Sequence, residues 1–164
     1  MISGKILEKI LKDNLNDFFS PQGFEYFHYY ENTYFWKMEG NIQYRLEIQA
    51  KSFSIGEYCE LSITFWDIED ILIDIALPHR TKEELLENRR FNRTVIDNNL
   101  KPKLIENGLV RAETIEECQE LCKNILKYIN NEGKLFFEKY TYSPNILEEI
   151  NTLIKEGKYW HQGK

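Results

Sequence analysis

Ten consecutive residues, 41–50, alternate without a break. Ile42, Tyr44, Leu46, Ile48 and Ala50 interleave with Asn41, Gln43, Arg45, Glu47 and Gln49. A period of two over that length assigns the two rows of side chains to opposite faces of a β-strand. A strand buried on both faces reads as a continuous apolar run, so this pattern predicts an antiparallel sheet with one wet face. Ile42 to Ala50 belong to the core. Gln43, Arg45, Glu47 and Gln49 are expected in water, where they would form the natural docking surface of an open sheet.

The remaining pattern falls into two regimes. Ile6, Leu7, Ile10, Leu11, Leu15, Phe18 and Phe19 recur at helical spacing, and the Ser20-Pro21-Gln22-Gly23 run ends that helix. The aromatic block 24–38 suits strands, with turns expected at Glu31-Asn32 and at Glu39-Gly40-Asn41. Residues 57–66 alternate again, and the apolar run 71–77 is read as a further strand ending at Pro78. Beyond it the period turns helical. Thr81-Lys82-Glu83-Glu84 is a capping-box pattern, and Val95, Ile96, Leu100, Leu104 and Ile105 continue a helical spacing around Pro102. A second capping box, Thr114-Ile115-Glu116-Glu117, opens a helix with the stripe Ile115, Cys118, Cys122, Ile125, Leu126 and Ile129. Ser143-Pro144 starts a last short helix, and residues 158–164 are expected to fray. No repeat or linker divides the chain. The order predicts one α+β domain over 1–164: an N-terminal helix, an antiparallel meander of four to five strands, then three to four C-terminal helices on one sheet face.

Composition narrows the function classes. With 21 Lys and Arg against 27 Asp and Glu, the formal charge is −6, which disfavours nucleic acid and anionic membrane and suits a basic protein partner. No apolar run approaches the ~20 residues needed to span a bilayer. Three cysteines form no disulfide framework, and no leader is visible in the first residues, so a reducing cytoplasm is the expected home.

Candidate chemistry is sparse. Cys118 and Cys122, one helical turn apart, have the spacing of a metal or redox pair, but both fall on an apolar stripe and read as core. Asp67, Glu69, Asp70 and Asp74 form an acidic run. Read on a strand, Asp70 and Asp74 share a face, as a Mg²⁺ or acid–base pair would, or they draw a basic partner. Residues 80–103 hold seven Lys or Arg against four Asp or Glu, and outside them the balance is −9. There Arg89, Arg90 and Arg93 would clamp a phosphate or carboxylate, or neutralise the acidic surface. His79 and Arg80, just past an expected strand end, mark the place where a pocket between sheet and helices would sit. No nucleotide loop, metalloprotease helix or nucleophile elbow is present, and no cofactor or metal is implied. An exposed minority of the Tyr and Trp side chains in 26–36 would serve protein binding.

The N-terminal amphipathic helix, then Gly23-Phe24, then Asn32-Thr33-Tyr34-Phe35 and the alternating strand through Leu46-Glu47-Ile48-Gln49, resembles small bacterial α+β proteins related to immunity proteins of polymorphic toxin systems. The resemblance covers about the first 70 residues and implies an acidic, non-enzymatic cytosolic binder. The sequence therefore predicts a protein-binding module. Its alternative is a ligand-binding domain or hydrolase-like enzyme with a pocket near His79 and Arg80.

Overall fold

The computed structural model describes residues 3–30, 32–51, 54–76, 81, 94–97, 99–106, 112–141, 148, 151, 152, 155 and 156. The chain opens with helix α1 (Gly4–Phe19), whose N-cap Ser3 accepts a hydrogen bond from the backbone N–H of Ile6. Leu7, Leu11, Leu15 and Phe19, each one turn after the last, bury one side of it. The helix ends where expected. Pro21 and a 3₁₀ turn (Ser20–Gln22) break the ladder, and Gly23 takes a left-handed φ of 81°, so that Phe24 folds back with its N–H 3.2 Å from the Phe19 carbonyl.

Strands β1 (Glu25–Tyr29), β2 (Asn32–Glu39), β3 (Ile42–Lys51) and β4 (Ser54–Phe65) follow as an antiparallel meander. The β2–β3 reversal uses Gly40 and Asn41, with Gly40 at φ 59°, as a two-residue hairpin with glycine first requires. The first reversal lies one step earlier than expected: Asn32 is already in the ladder opposite Tyr29, and Tyr30 carries the positive φ of 54°.

The run read as a fifth strand is instead part of helix α2 (Trp66–Ala76). A short apolar run fits either element, and here Asp67 and Glu69 in the first turn complement the helix N-terminus. The fifth strand, β5 (Val95–Asp97), comes from a stretch whose spacing read as helical, and it pairs with β4 through Ser62 and Ile96. The sheet thus has five strands in the order β1-β2-β3-β4-β5. Helix α3 (Leu100–Glu106) carries Pro102 in its first turn, where a proline costs no hydrogen bond. Helix α4 (Ile115–Tyr128) opens on the expected capping box. It does not stop near Ile129: one π-turn (Ile129–Gly133) leads directly into α5 (Lys134–Thr141). A Cβ at Gly133 would sit 2.7 Å from Leu61 Cδ1, so glycine permits the close approach of this turn to β4. The helix expected to open at Thr81 and nearly all of the one expected from Ser143 fall on residues outside the described set.

α1 and α4 pack on each other, and their stripes join Phe35, Tyr44, Leu46, Ile48, Leu61 and Ile63 of the sheet in one apolar cluster. The opposite face is not wet. Gln43, Arg45 and Glu47 are 2%, 1% and 2% exposed, and Gln49 is half-buried, so β3 is enclosed on both faces. Alternation reported the chemistry of the two faces but not their exposure, because a polar row that hydrogen-bonds internally can be buried.

The capping box sets a pH dependence. Glu117 accepts from the backbone N–H groups of Glu113 (2.6 Å) and Thr114 (3.0 Å), which hold its carboxyl below the ordinary 4.5. A depressed pKa stabilises the fold above the unfolded value and loses that contribution as pH falls. The difference in thermal midpoint between wild type and Glu117→Gln should be greatest above pH 4.5 and close in more acid solution. Thr114→Ala, which removes the N-cap, should cost about 1 kcal/mol in denaturant unfolding.

Candidate functional site

Two places in the described structure concentrate polar chemistry. The first is the buried row itself. Arg45 stands opposite Ser62 on β4 and Trp36 on β2, and Glu47 stands between Glu60 and Tyr34. Arg45 Nε donates to Ser62 Oγ at 3.2 Å and lies 4.0 Å from Glu47 Oε2. Asn32 Nδ2 donates to Glu47 Oε1 at 2.9 Å and to the Tyr34 hydroxyl at 3.1 Å. The Tyr34 ring stacks on Phe27, with centroids 4.4 Å apart. Burial pushes the Tyr34 phenol up to about 12, the nearby Glu47 charge adds to this, and the Asn32 bond opposes it. The row is a fixed network of donors and acceptors that holds three strands together. Buried from Gln43 to Glu47, it is no docking surface there.

The second place is a cleft of about 240 Å³ on the helical side of the sheet. Its wall is aromatic: Phe18, Phe19, Phe24, Tyr44 and Phe137. The break after α1 creates one side, since the Gly23 reversal lays Phe24 against Phe19, ring centres 4.9 Å apart. The π-turn supplies the other side with Ile129 and Asn130, and α5 adds Phe137, edge-on to Tyr44 at 5.4 Å. Thr141 donates to the Phe137 carbonyl at 2.8 Å, which leaves its oxygen to accept from the Tyr44 hydroxyl at 3.3 Å. Lys37, opposite Tyr44 in the ladder, lies over two rings, with Nζ 5.2 Å from the Phe24 centre and 5.1 Å from the Tyr44 centre. The same ammonium donates to Glu39 at 2.6 Å. Lys134 and Glu138, 3.7 Å apart, close the rim.

The other sequence candidates are dispersed. Asp70 and Asp74 lie on α2 and not on a strand, so they share no strand face with Leu72; Asp70 is exposed, and the side chain of Asp74 lies outside the described set. Asp67 accepts from Asn41 Nδ2 at 2.9 Å. Glu69 is buried and accepts from Thr94 Oγ1 at 2.9 Å, while Thr94 accepts from the Phe65 N–H, tying α2 to the sheet edge. His79, Arg80, Arg89, Arg90 and Arg93 lie outside the described residues. Cys118 and Cys122 are core residues, and burial pushes their thiols up to about 11 and about 12; Cys59 is likewise buried and raised. Among the described residues no group of three His, Cys, Asp or Glu is placed to hold a metal. Of the aromatic block, Tyr34 and Phe35 are buried, whereas Tyr29 and Tyr30 project at the first hairpin.

The sequence predicts a pocket between sheet and helices near His79 and Arg80, but not the lining of this cleft. Its one local signal is Lys37, a cation on the row that otherwise faces the core through Thr33 and Phe35. No helix among the described residues is long and apolar enough to cross a membrane. No family model, no curated protein and no solved structure matches the chain.

Two outcomes follow from the buried row. Arg45→Ala strips the partner from a buried carboxylate and should destabilise by about 3–5 kcal/mol in denaturant unfolding, against within about 0.5 kcal/mol for a solvated face. A raised phenol pKa gives stability that is complete below pH 10 and lost toward pH 12. Tyr34→Phe should therefore lose less stability than wild type over that interval, measured by chemical unfolding at each pH.

Proposed function

We propose that the protein is a binding module that captures another protein, with the aromatic cleft receiving a side chain of that partner. The observation that carries this reading is the cleft itself: a concave, ring-walled site with a mixed-charge rim. Its volume of about 240 Å³ falls below the ~300–1,000 Å³ of pockets for drug-sized ligands and matches one anchoring side chain. The formal charge of −6 favours a basic partner by steering its approach. The exposed Tyr29 and Tyr30 offer further contact area of the kind enriched at interfaces. A cytoplasmic, toxin-neutralising role of the immunity-protein type agrees with these features and with the resemblance of the first 70 residues. The buried row of Gln43, Arg45 and Glu47 contributes stiffness to such a module, not contact.

A second reading, a small-ligand site, is favoured by the position of the cleft between sheet and helices. It would be centred on Lys37 and Tyr44.

Asn130 is exposed at the cleft wall, so Asn130→Trp fills the cleft without touching the core. Affinity capture with wild-type and variant bait, under matched circular dichroism, should recover a specific basic protein only with wild type. Equal recovery by both baits would remove the cleft from the interface. Loss of a small metabolite signal in native mass spectrometry, with no protein captured by either bait, would favour the second reading.

A further inference from the structure

We infer that the cleft is a guanidinium-recognition site occupied in the free protein by the chain's own Lys37, and that the partner's anchor is an arginine side chain that displaces it. The inference rests on the binding reading above and names the group bound there. Lys37 occupies an unusual position for a lysine. Its row on β2 faces the core, and its neighbours across the ladder and the cleft are rings. The side chain is 22% exposed, and its ammonium is folded over Phe24 and Tyr44 instead of reaching into water.

Two ring faces and one carboxylate, Glu39, surround that ammonium. Ring faces carry negative potential, and with a carboxylate beside them they make a receptor for cations. The chain fills this receptor with the nearest cation it has. Glu39 is 55% exposed and accessible from outside, and Glu138 stands at the facing rim beside Lys134, so an entering cation meets carboxylates on its way to the rings. The acidic balance of the whole chain adds attraction of the same sign.

Among cations, a guanidinium is the better competitor. It is planar, weakly hydrated and stacks on rings, and its fork can meet the Glu39 carboxylate with two N–H groups, whereas an ammonium meets it as a point. Lys37 can leave because its flexible stem lets the ammonium swing into solvent, giving up its contacts with the two rings and Glu39. The occupied cage also lowers apparent affinity for stray cations: the ligand binds only the fraction of molecules in which the cage is vacant. Lys37 thus acts as an internal competitor that lowers the affinity of the cage for every cation by the same factor, and the preference for arginine comes from the rings and Glu39.

The test uses the full chain and N-acetyl-arginine N-methylamide as probe, with N-acetyl-norleucine N-methylamide as its uncharged counterpart. Binding is followed by the ring resonances of Phe24 and Tyr44. Lys37→Met keeps the stem, removes the competitor and should tighten the arginine probe about tenfold relative to wild type. Lys37→Gln repeats the measurement in case the first variant folds poorly. Adding Glu39→Gln to either variant should reverse most of the gain. Equal or weaker arginine binding after removal of the Lys37 charge overturns the inference, since Lys37 would then be a ligand contact. Equal binding of the norleucine probe also overturns it, while leaving the cleft as a binding site. If neither probe moves the rings in any variant, the inference falls, and the capture experiment with Asn130→Trp decides separately whether the cleft binds a partner at all.

Discussion

Everything in this fold depends on burying an arginine and two glutamates in the middle of a sheet. β3 is central, flanked by β2 and β4, and from Gln43 to Ile48 both of its faces are buried. Charges taken out of solvent survive only with close partners. The register provides them for Arg45 and Glu47: Arg45 stands opposite Ser62 and 4.0 Å from Glu47, and Asn32 reaches Glu47 from the neighbouring strand. A slip of one residue would send these groups into the apolar cluster under α1 and α4 and bring Leu46 and Ile48 onto a polar face. The network therefore disfavours that shifted pairing of the strands.

With both faces of β3 committed, a recognition site must be built at the margin of the sheet. The structure uses two irregularities to make it. One is the Ser20–Gln22 turn with Gly23, which folds Phe24 back on the end of α1. The other is the π-turn at Ile129–Gly133, the type of helical insertion that often accompanies functional sites. Each is a departure from regular geometry, and they face one another across the same small volume.

Much of the architecture was legible in the sequence, because it is carried by local signals. The alternation at 41–50 located β3 to within a residue, the Pro-Gly break located the end of α1, and Thr114 with Glu117 located the start of α4. Errors arose where two elements accept the same pattern. The run containing Ile71 is too short to tell helix from strand, and Val95–Asp97 became a strand because β4 offered a free edge. Charge and alternation alone predict solvent exposure for Arg45 and Glu47, and only the neighbouring strands supply the partners that let them be buried. The cleft was illegible for a further reason. Its walls come from segments a hundred residues apart, joined by aromatic packing that leaves no spacing in the chain.

The three cysteines carry a consequence of their own. Cys59 on β4 and Cys118 and Cys122 on α4 lie inside the apolar cluster, where burial keeps each thiol protonated. A protonated, enclosed thiol is neither nucleophile nor readily oxidised. The three thiols of the folded molecule are therefore shielded from oxidants in solution. Oxidation of these cysteines can begin only in the fraction of time that α4 and the sheet are apart, so their modification reports how often the core opens.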